Sequence, residues 1–212
     1  FSRLYLNLHP HQGLGGQSRE FLHFGWELRN ESADDLKEGL ETIENRSKSL
    51  IRFIDAYREY TSLPNPKMVT VRLSELIEKV GQFMKSECKR RSINLGYSCT
   101  SEYLSIQADP EMIEQVLINL MKNAIEAVGD KSDATITLLG SYDENAVFIS
   151  VTDNGPGIIS EALESIFVPF YTTKKTGSGI GLSLSRQIMH LHHGSLTVES
   201  EPNKKTTFTL RF

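Results

Sequence analysis

The sequence predicts an α+β fold: an α/β sandwich over residues 67–212, preceded by a long, coiled-coil-like helix within residues 1–66. Three observations predict it. A heptad seam runs from Leu36 to Thr61. Segments with helical and strand periods follow one another from Met68 onward. A glycine cluster, Gly177-Ser-Gly179-Ile-Gly181, leads directly into a helical pattern.

The elements follow in order. His9-Pro10 and the glycines up to Gly16 break any regular element, and residues 18–30 suit a short helix. A helix is predicted from about Ala33 to Thr61, with Ser32 or Asp34 at its start. Along it Leu36, Leu40, Ile43, Ser47, Leu50, Ile54, Tyr57 and Thr61 recur at spacings of 4, 3, 4, 3, 4, 3 and 4, the seam of a helix that pairs along its length. Pro64 and Pro66 end it. Val69 to Arg72 suits a strand, and Leu73 to Arg91 a helix with Leu76, Ile77, Val80 and Phe83 as its apolar face. Strands are expected over Ile93–Cys99 and Leu104–Gln107. Pro110 fits the first turn of a helix to Val128, with Asp109 as cap. Two alternating strands, Thr135–Tyr142 and Ala146–Thr152, flank the turn residues Asp143-Glu-Asn145. A helix over Gly181–His192 and strands at Leu196–Glu199 and Thr206–Phe212 complete the sandwich.

Composition narrows the function. Hydrophobic residues make up 39% and charged residues 24%, which suffices for a packed core. A net charge of -4 offers no basic surface for nucleic acid or anionic lipid. The two cysteines, Cys88 and Cys99, lack metal-ligand spacing and suit reduced thiols in a cytoplasmic setting. No apolar run is long enough to span a bilayer, so no membrane contact is expected from this chain itself, although a parent protein with an anchor fits equally well.

Three constellations carry chemistry. On the helix Pro110–Val128, Gln115, Asn119, Asn123 and Glu126 share one face, at spacings of 4, 4 and 3. Asparagine is a poor helix former, so two of them one turn apart need a reason. Either the face is simply solvated, or it presents hard oxygen ligands for Mg²⁺ and amides for phosphate. In the strand before Gly155, Val147, Ile149, Val151 and Asp153 have one parity, which buries the Asp153 carboxylate. A buried carboxylate needs a donor, and the adenine amine is a candidate. Gly155 and Gly157 would let the chain turn tightly beside a flat base. Thr206 shares the inward parity of Phe208, Leu210 and Phe212 and could help hold that base. Finally, Gly177, Gly179 and Gly181 place unpaired N–H groups at a helix start, an anion-binding arrangement, with Lys174 and Lys175 just upstream. The spacing is neither that of a P-loop nor that of a dinucleotide-binding fingerprint.

Together these segments resemble the boxes of the sensor histidine kinase catalytic domain, within the superfamily of gyrase, the mismatch-repair ATPases and the ninety-kilodalton heat-shock chaperone. Gln115-Val-Leu-Ile-Asn119-Leu-Met-Lys-Asn123-Ala resembles the N box, and Asp153-Asn-Gly-Pro-Gly157 the first glycine box. Ile166-Phe167-Val-Pro-Phe170 resembles the F box, and Gly177-Ser-Gly-Ile-Gly-Leu182 the second glycine box. The short stretch between Phe170 and Gly177 is similar to the compact ATP lid of nitrogen-regulatory sensor kinases.

The resemblance implies a Bergerat-type ATP-binding fold and transfer of the ATP γ-phosphoryl group to a histidine, then to an aspartate on a response-regulator receiver domain. ATP and Mg²⁺ would be the cofactors. Asn123 would ligand Mg²⁺, with Asn119 beside it on the phosphates. Asp153 would accept from adenine. Gly177, Gly179, Gly181 and Leu182 would wrap the triphosphate, with Thr173 and Lys174 nearby. Gln115 stands where ATP-hydrolysing relatives use a glutamate, and Glu126 is a weaker candidate for polarising an acceptor imidazole.

The front end departs from the pattern. The helix of residues 34–61 resembles the second helix of the family's dimerisation and phosphoacceptor hairpin, which implies a homodimer. No histidine followed by an acidic residue precedes it: His9, His11 and His23 are followed by Pro, Gln and Phe, and Trp26 stands before Glu27. These three read as surface histidines, whereas His190, His192 and His193 read as structural cations closing a helix. The alternatives are a nucleotide-binding pseudokinase or interaction module, or another ATPase or serine kinase of the superfamily.

Overall fold

In a computed structural model of the chain, residues 35–174 and 177–212 are described, except 49, 52, 53, 55, 56, 59 and 60. The readings of His9, His11, His23 and Trp26, of the 18–30 helix, of the Ser32 or Asp34 cap and of Lys175 lie outside the described residues. The chain forms two compact units, Phe1–Arg52 and Phe53–Phe212.

In the first unit every described residue from 35 to 51 is helical (α1). Its seam residues Leu36, Leu40, Ile43 and Leu50 are all exposed. In the second unit the described residues 54, 57, 58 and 61 are helical too, and Ile54 and Tyr57 are exposed. The paired helix that the heptads predict is therefore not shown by this chain. No helix among the described residues is long and apolar enough to cross a membrane.

From Val69 the elements are β1 (Val69–Arg72), α2 (Leu73–Arg90), β2 (Asn94–Cys99), β3 (Ser105–Ala108), α3 (Pro110–Val128), β4 (Thr135–Tyr142), β5 (Val147–Asp153), α4 (Ser160–Leu163), α5 (Gly181–Leu191), β6 (Ser195–Glu201) and β7 (Lys205–Arg211). Five strands form one sheet in the order β2-β4-β5-β7-β6, parallel only between β2 and β4, while β1 and β3 make a separate antiparallel pair. Burial alternates along β4 and β7, so one sheet face is apolar and the other wet. Helices α2, α3 and α5 cover the apolar face: α2 packs on β2 and β4, α3 on β4 and β5, and α5 on α3 and β6. Leu117, Leu120, Met121, Ile136, Leu138, Ile149, Ile188 and Leu210 are fully buried between the layers.

The start of α3 is set as its sequence predicts. Asp109 Oδ1 accepts from the N–H of Glu111 and Met112, and its Oδ2 from the N–H of Lys67. Those backbone donors, Lys67 first, hold the Asp109 carboxyl below its ordinary pKa. Two expectations need correction. Phe83 is 65% exposed, and Met84 and Cys88 complete the buried face of α2 instead. His192 is not a helix-end cation. It is buried, its Nε2 accepts from the Asp109 N–H at 3.0 Å, and its Nδ1 lies 2.7 Å from the Ile188 carbonyl. One nitrogen accepting and the other donating is the pattern of a neutral imidazole. His192 thus ties the end of α5 to the start of α3, the two helices that carry the predicted site.

Candidate nucleotide site

Helix α3 organises the site. Gln115 and Glu126 are exposed on it, and Asn119 and Asn123 are half-buried. Asn119 faces α5: its Nδ2 donates to Ser185 Oγ at 3.0 Å, and a Cβ on Gly181 would run into its Oδ1. Gly181 is therefore required by close helix packing as well as by any phosphate. Gly181→Ala is expected to push Asn119 off Ser185 and to destabilise the fold by ~1–3 kcal/mol, the usual cost of overpacking. Thermal unfolding checks this, and an unchanged midpoint would refute the contact.

Asp153 is 4% exposed at the end of β5, beside Ile136 on β4 and Thr206 on β7. Its Oδ1 accepts from the Gly155 N–H at 2.8 Å, and its Oδ2 has no hydrogen bond from a described residue. Burial pushes the carboxyl above its ordinary pKa, and the Gly155 donor offsets that only in part. Thr206 is buried as its parity predicts, and its hydroxyl lies 3.1 Å from Ser200 Oγ. A Cβ on Gly155 would come 3.1 Å from the Ala127 backbone, one turn beyond Asn123. The Asp153 loop therefore abuts the metal-binding end predicted for α3. Gly157, at φ 76°, packs against the Glu201 carbonyl.

The third segment closes over the same helix. The Phe170 N–H donates to the Gly179 carbonyl at 2.9 Å, pinning the base of a short loop. Gly179 has φ 70°, and a Cβ there would stand 2.5 Å from the Phe170 backbone. Thr173, Lys174 and Gly177 are exposed, and Leu182 packs on the core. No side chain caps the start of α5 at Gly181, which leaves the helix N-terminus for an anion. Lys174 crosses to α3, where its Nζ donates to Asn123 Oδ1 at 2.8 Å and ion-pairs with Glu126.

The structure thus brings one part of each segment to α3, Gly155 at Ala127, Lys174 at Asn123 and Glu126, and Gly181 at Asn119, while Gly157 packs on Glu201 and Thr206 on Ser200. Sequence reasoning missed Ser185, and it gave Asn154 no role of its own within the first glycine box. Asn154 Oδ1 accepts from the Thr135 N–H and its Nδ2 donates to the Asp133 carbonyl, clamping β4 to the loop after Asp153. It also missed the Arg186 guanidinium, 5.2 Å above the Phe167 ring, which ties α5 to the segment before the loop. A separate recess of about 540 Å³ is lined by Met68, Ile106, Tyr142, Val147 and Phe212. It contains none of the predicted site residues and lies at the opposite end of β5 from Asp153, roughly 20 Å away at the rise of a strand.

The donor set suits Mg²⁺. Among the described residues no cluster of three or more His, Cys, Asp or Glu side chains could hold a metal alone. A lone amide oxygen with a carboxylate nearby fits an ion that keeps its waters and takes phosphate oxygens from a nucleotide. The Lys174 ammonium on those same oxygens shows that the spot favours a cation.

Residues 108–212 of this two-layer sandwich match the family described as histidine kinase-, DNA gyrase B- and HSP90-like ATPase. The chain is 34% identical over 170 residues to the sensor histidine kinase ZraS of Escherichia coli (strain K12), covering 80% of this chain and 36% of that protein. It is similar in structure to the catalytic domain of the histidine kinase ThkA, with TM-score 0.63 and 34% identity, over 69% of this chain and 95% of that one. ThkA solved in complex with the response regulator TrrA matches at TM-score 0.67 and 28% identity, over 94% of this chain and 61% of that one. The chain belongs to the histidine kinase family. It spans little more than a third of the length of the curated relative ZraS.

Proposed function

We propose that this chain is the ATP-binding catalytic part of a two-component sensor histidine kinase, which passes the ATP γ-phosphoryl group to a histidine and onward to a response-regulator aspartate. The observation that carries this reading is the convergence on α3 of a buried acceptor carboxylate, Asp153, an amide oxygen, Asn123, and an uncapped helix start at Gly181. Asp153 accepts the adenine amine on its Oδ2. Asn123 presents its Oδ1 to Mg²⁺. The backbone N–H groups of Gly179 and Gly181 hold phosphate oxygens, and Lys174 adds charge beside them. Mg²⁺ supplies charge neutralisation on the phosphates, and the residues supply position. Gln115 orients and cannot take a proton, which suits transfer better than fast hydrolysis.

The response-regulator partner is supported by the solved ThkA–TrrA pair. A homodimer through the helix of residues 34–61 is supported by the heptad spacing of its apolar residues. The test is to add Mg²⁺, γ-labelled ATP and a separate intact acceptor hairpin of the family. Acid-labile, base-stable label on the hairpin is expected. Nucleotide binding without such label would leave a binding module, and steady phosphate release without it would indicate an ATPase.

A further inference from the structure

We infer that Ser200 is a positioning residue for base selection, one that fixes the Thr206 hydroxyl as a hydrogen-bond acceptor beside Asp153; this rests on the reading of Asp153 as the adenine acceptor. The three side chains form one row across β5, β7 and β6: Asp153 pairs with Thr206, and Thr206 with Ser200. Directly paired residues point to the same face of a sheet, with Cβ atoms about 5 Å apart. Here that is the apolar face, because Leu196 and Val198 share the parity of Ser200 along β6.

The proton count decides what Thr206 offers. A serine hydroxyl has one proton and two lone pairs. Ser200 Oγ accepts from the Ile158 N–H at 2.8 Å, and it lies 3.2 Å from the Lys205 carbonyl and 3.1 Å from Thr206 Oγ1. The carbonyl can only accept, so it takes the Ser200 proton. The second lone pair of Ser200 then takes the Thr206 proton. This is the one arrangement that satisfies all three contacts, and it leaves the buried Thr206 hydroxyl with lone pairs alone. Two acceptors therefore stand on neighbouring strands, Thr206 Oγ1 and Asp153 Oδ2. An exocyclic amine carries two protons and suits both. A carbonyl oxygen in its place meets lone pairs from both, which selects against such a base.

Ser200 also fastens the loop after Asp153. Beside its Ile158 bond, the Asn203 N–H donates to the Pro156 carbonyl at 2.7 Å, and Gly157 packs on the Glu201 carbonyl. Loss of that fastening alone would weaken every nucleotide alike, whereas a freed Thr206 proton changes which base is preferred.

Titration with ADP and with IDP, whose base carries an oxygen where adenine has its amine, tests this. The wild type should prefer ADP. In Ser200→Ala the Thr206 proton is free to turn towards the base, and the preference should fall about three- to tenfold, the range that one neutral hydrogen bond supports. Ser200→Thr restores the hydroxyl and should keep the wild-type ratio. Ser200→Cys, of similar size but a weak donor and acceptor, should fall between, and it carries the test if the alanine variant does not fold. In a Thr206→Val background, Ser200→Ala should have no further effect on the ratio. Equal weakening of ADP and IDP in the alanine and cysteine variants would overturn the inference and leave Ser200 a fastener of the loop. If Asp153→Asn still turns the base preference in that case, the adenine reading stands without it. A wild type that binds ADP and IDP equally would sink the adenine reading itself.

Discussion

Asp153→Asn is expected to weaken ATP binding roughly 10- to 100-fold and to turn base preference towards guanine. A hydrogen bond to a charged group contributes about 1.5–3 kcal/mol, and 1.4 kcal/mol is tenfold in affinity. The geometry makes the substitution more than a loss of charge. Asp153 Oδ1 takes the Gly155 N–H at 2.8 Å, so the asparagine must place its oxygen there. Its NH₂ group then points where Oδ2 did. That donor would face the adenine amine, another donor, whereas guanine offers an acceptor oxygen at the same edge. Titration with ATP and GTP checks this, and a variant that still prefers ATP refutes the role.

The same carboxylate sets a pH dependence. Burial raises its folded pKa, so the folded protein keeps the Asp153 proton to higher pH than the unfolded chain does. The stability gained from the protonated form is complete below the unfolded pKa and is lost as pH rises through the folded value. Adenine binding has the opposite sign, because it needs the ionised acceptor. Wild-type ATP affinity should therefore fall on acidification through the raised Asp153 pKa, above the ordinary carboxylate value of about 3.9. The Asp153→Asn variant should lack this component.

Asn123→Ala is expected to remove the Mg²⁺-dependent part of ATP binding. Even outer-sphere partners of a metal cost ~10- to 100-fold in its affinity when replaced, and a ligand should cost at least as much. The loss should be confined to titrations with Mg²⁺, since Asp153 and the glycine loop remain. Equal affinity of variant and wild type in Mg²⁺ would move the metal elsewhere.

Much of this fold is legible in the sequence, and the reasons are local. The helix from Pro110 to Val128 is predicted to the residue because Asp109 and Pro110 mark its start chemically and Gly129 follows its end. Strands Val69–Arg72 and Thr135–Tyr142 also match their predicted ranges. Helix α4, four residues long, is too short to show a period. Phe83 is misjudged because Val80 is followed by apolar residues at both the third and fourth positions, and only packing of α2 on the sheet decides that Met84 is inside. The site divides in the same way. The parity of Asp153 and Thr206 and the shared face of Asn119 and Asn123 lie within single elements. The Asp109–His192 bond joins residues 83 apart, and the Asn119–Ser185 and Asn123–Lys174 bonds join residues 66 and 51 apart. No local pattern encodes such pairs, so the structure alone reveals that His192 is a strut and Lys174 a clamp.

The most direct test of the central claim, that nucleotide binds around α3, is an amide NMR titration of the chain with ADP and Mg²⁺. Shifts should concentrate at Asn123, at Asp153 to Gly157 and at Gly177 to Leu182. Shifts confined to Ile106, Tyr142, Val147 and Phe212, which line the recess at the other end of β5, would contradict it.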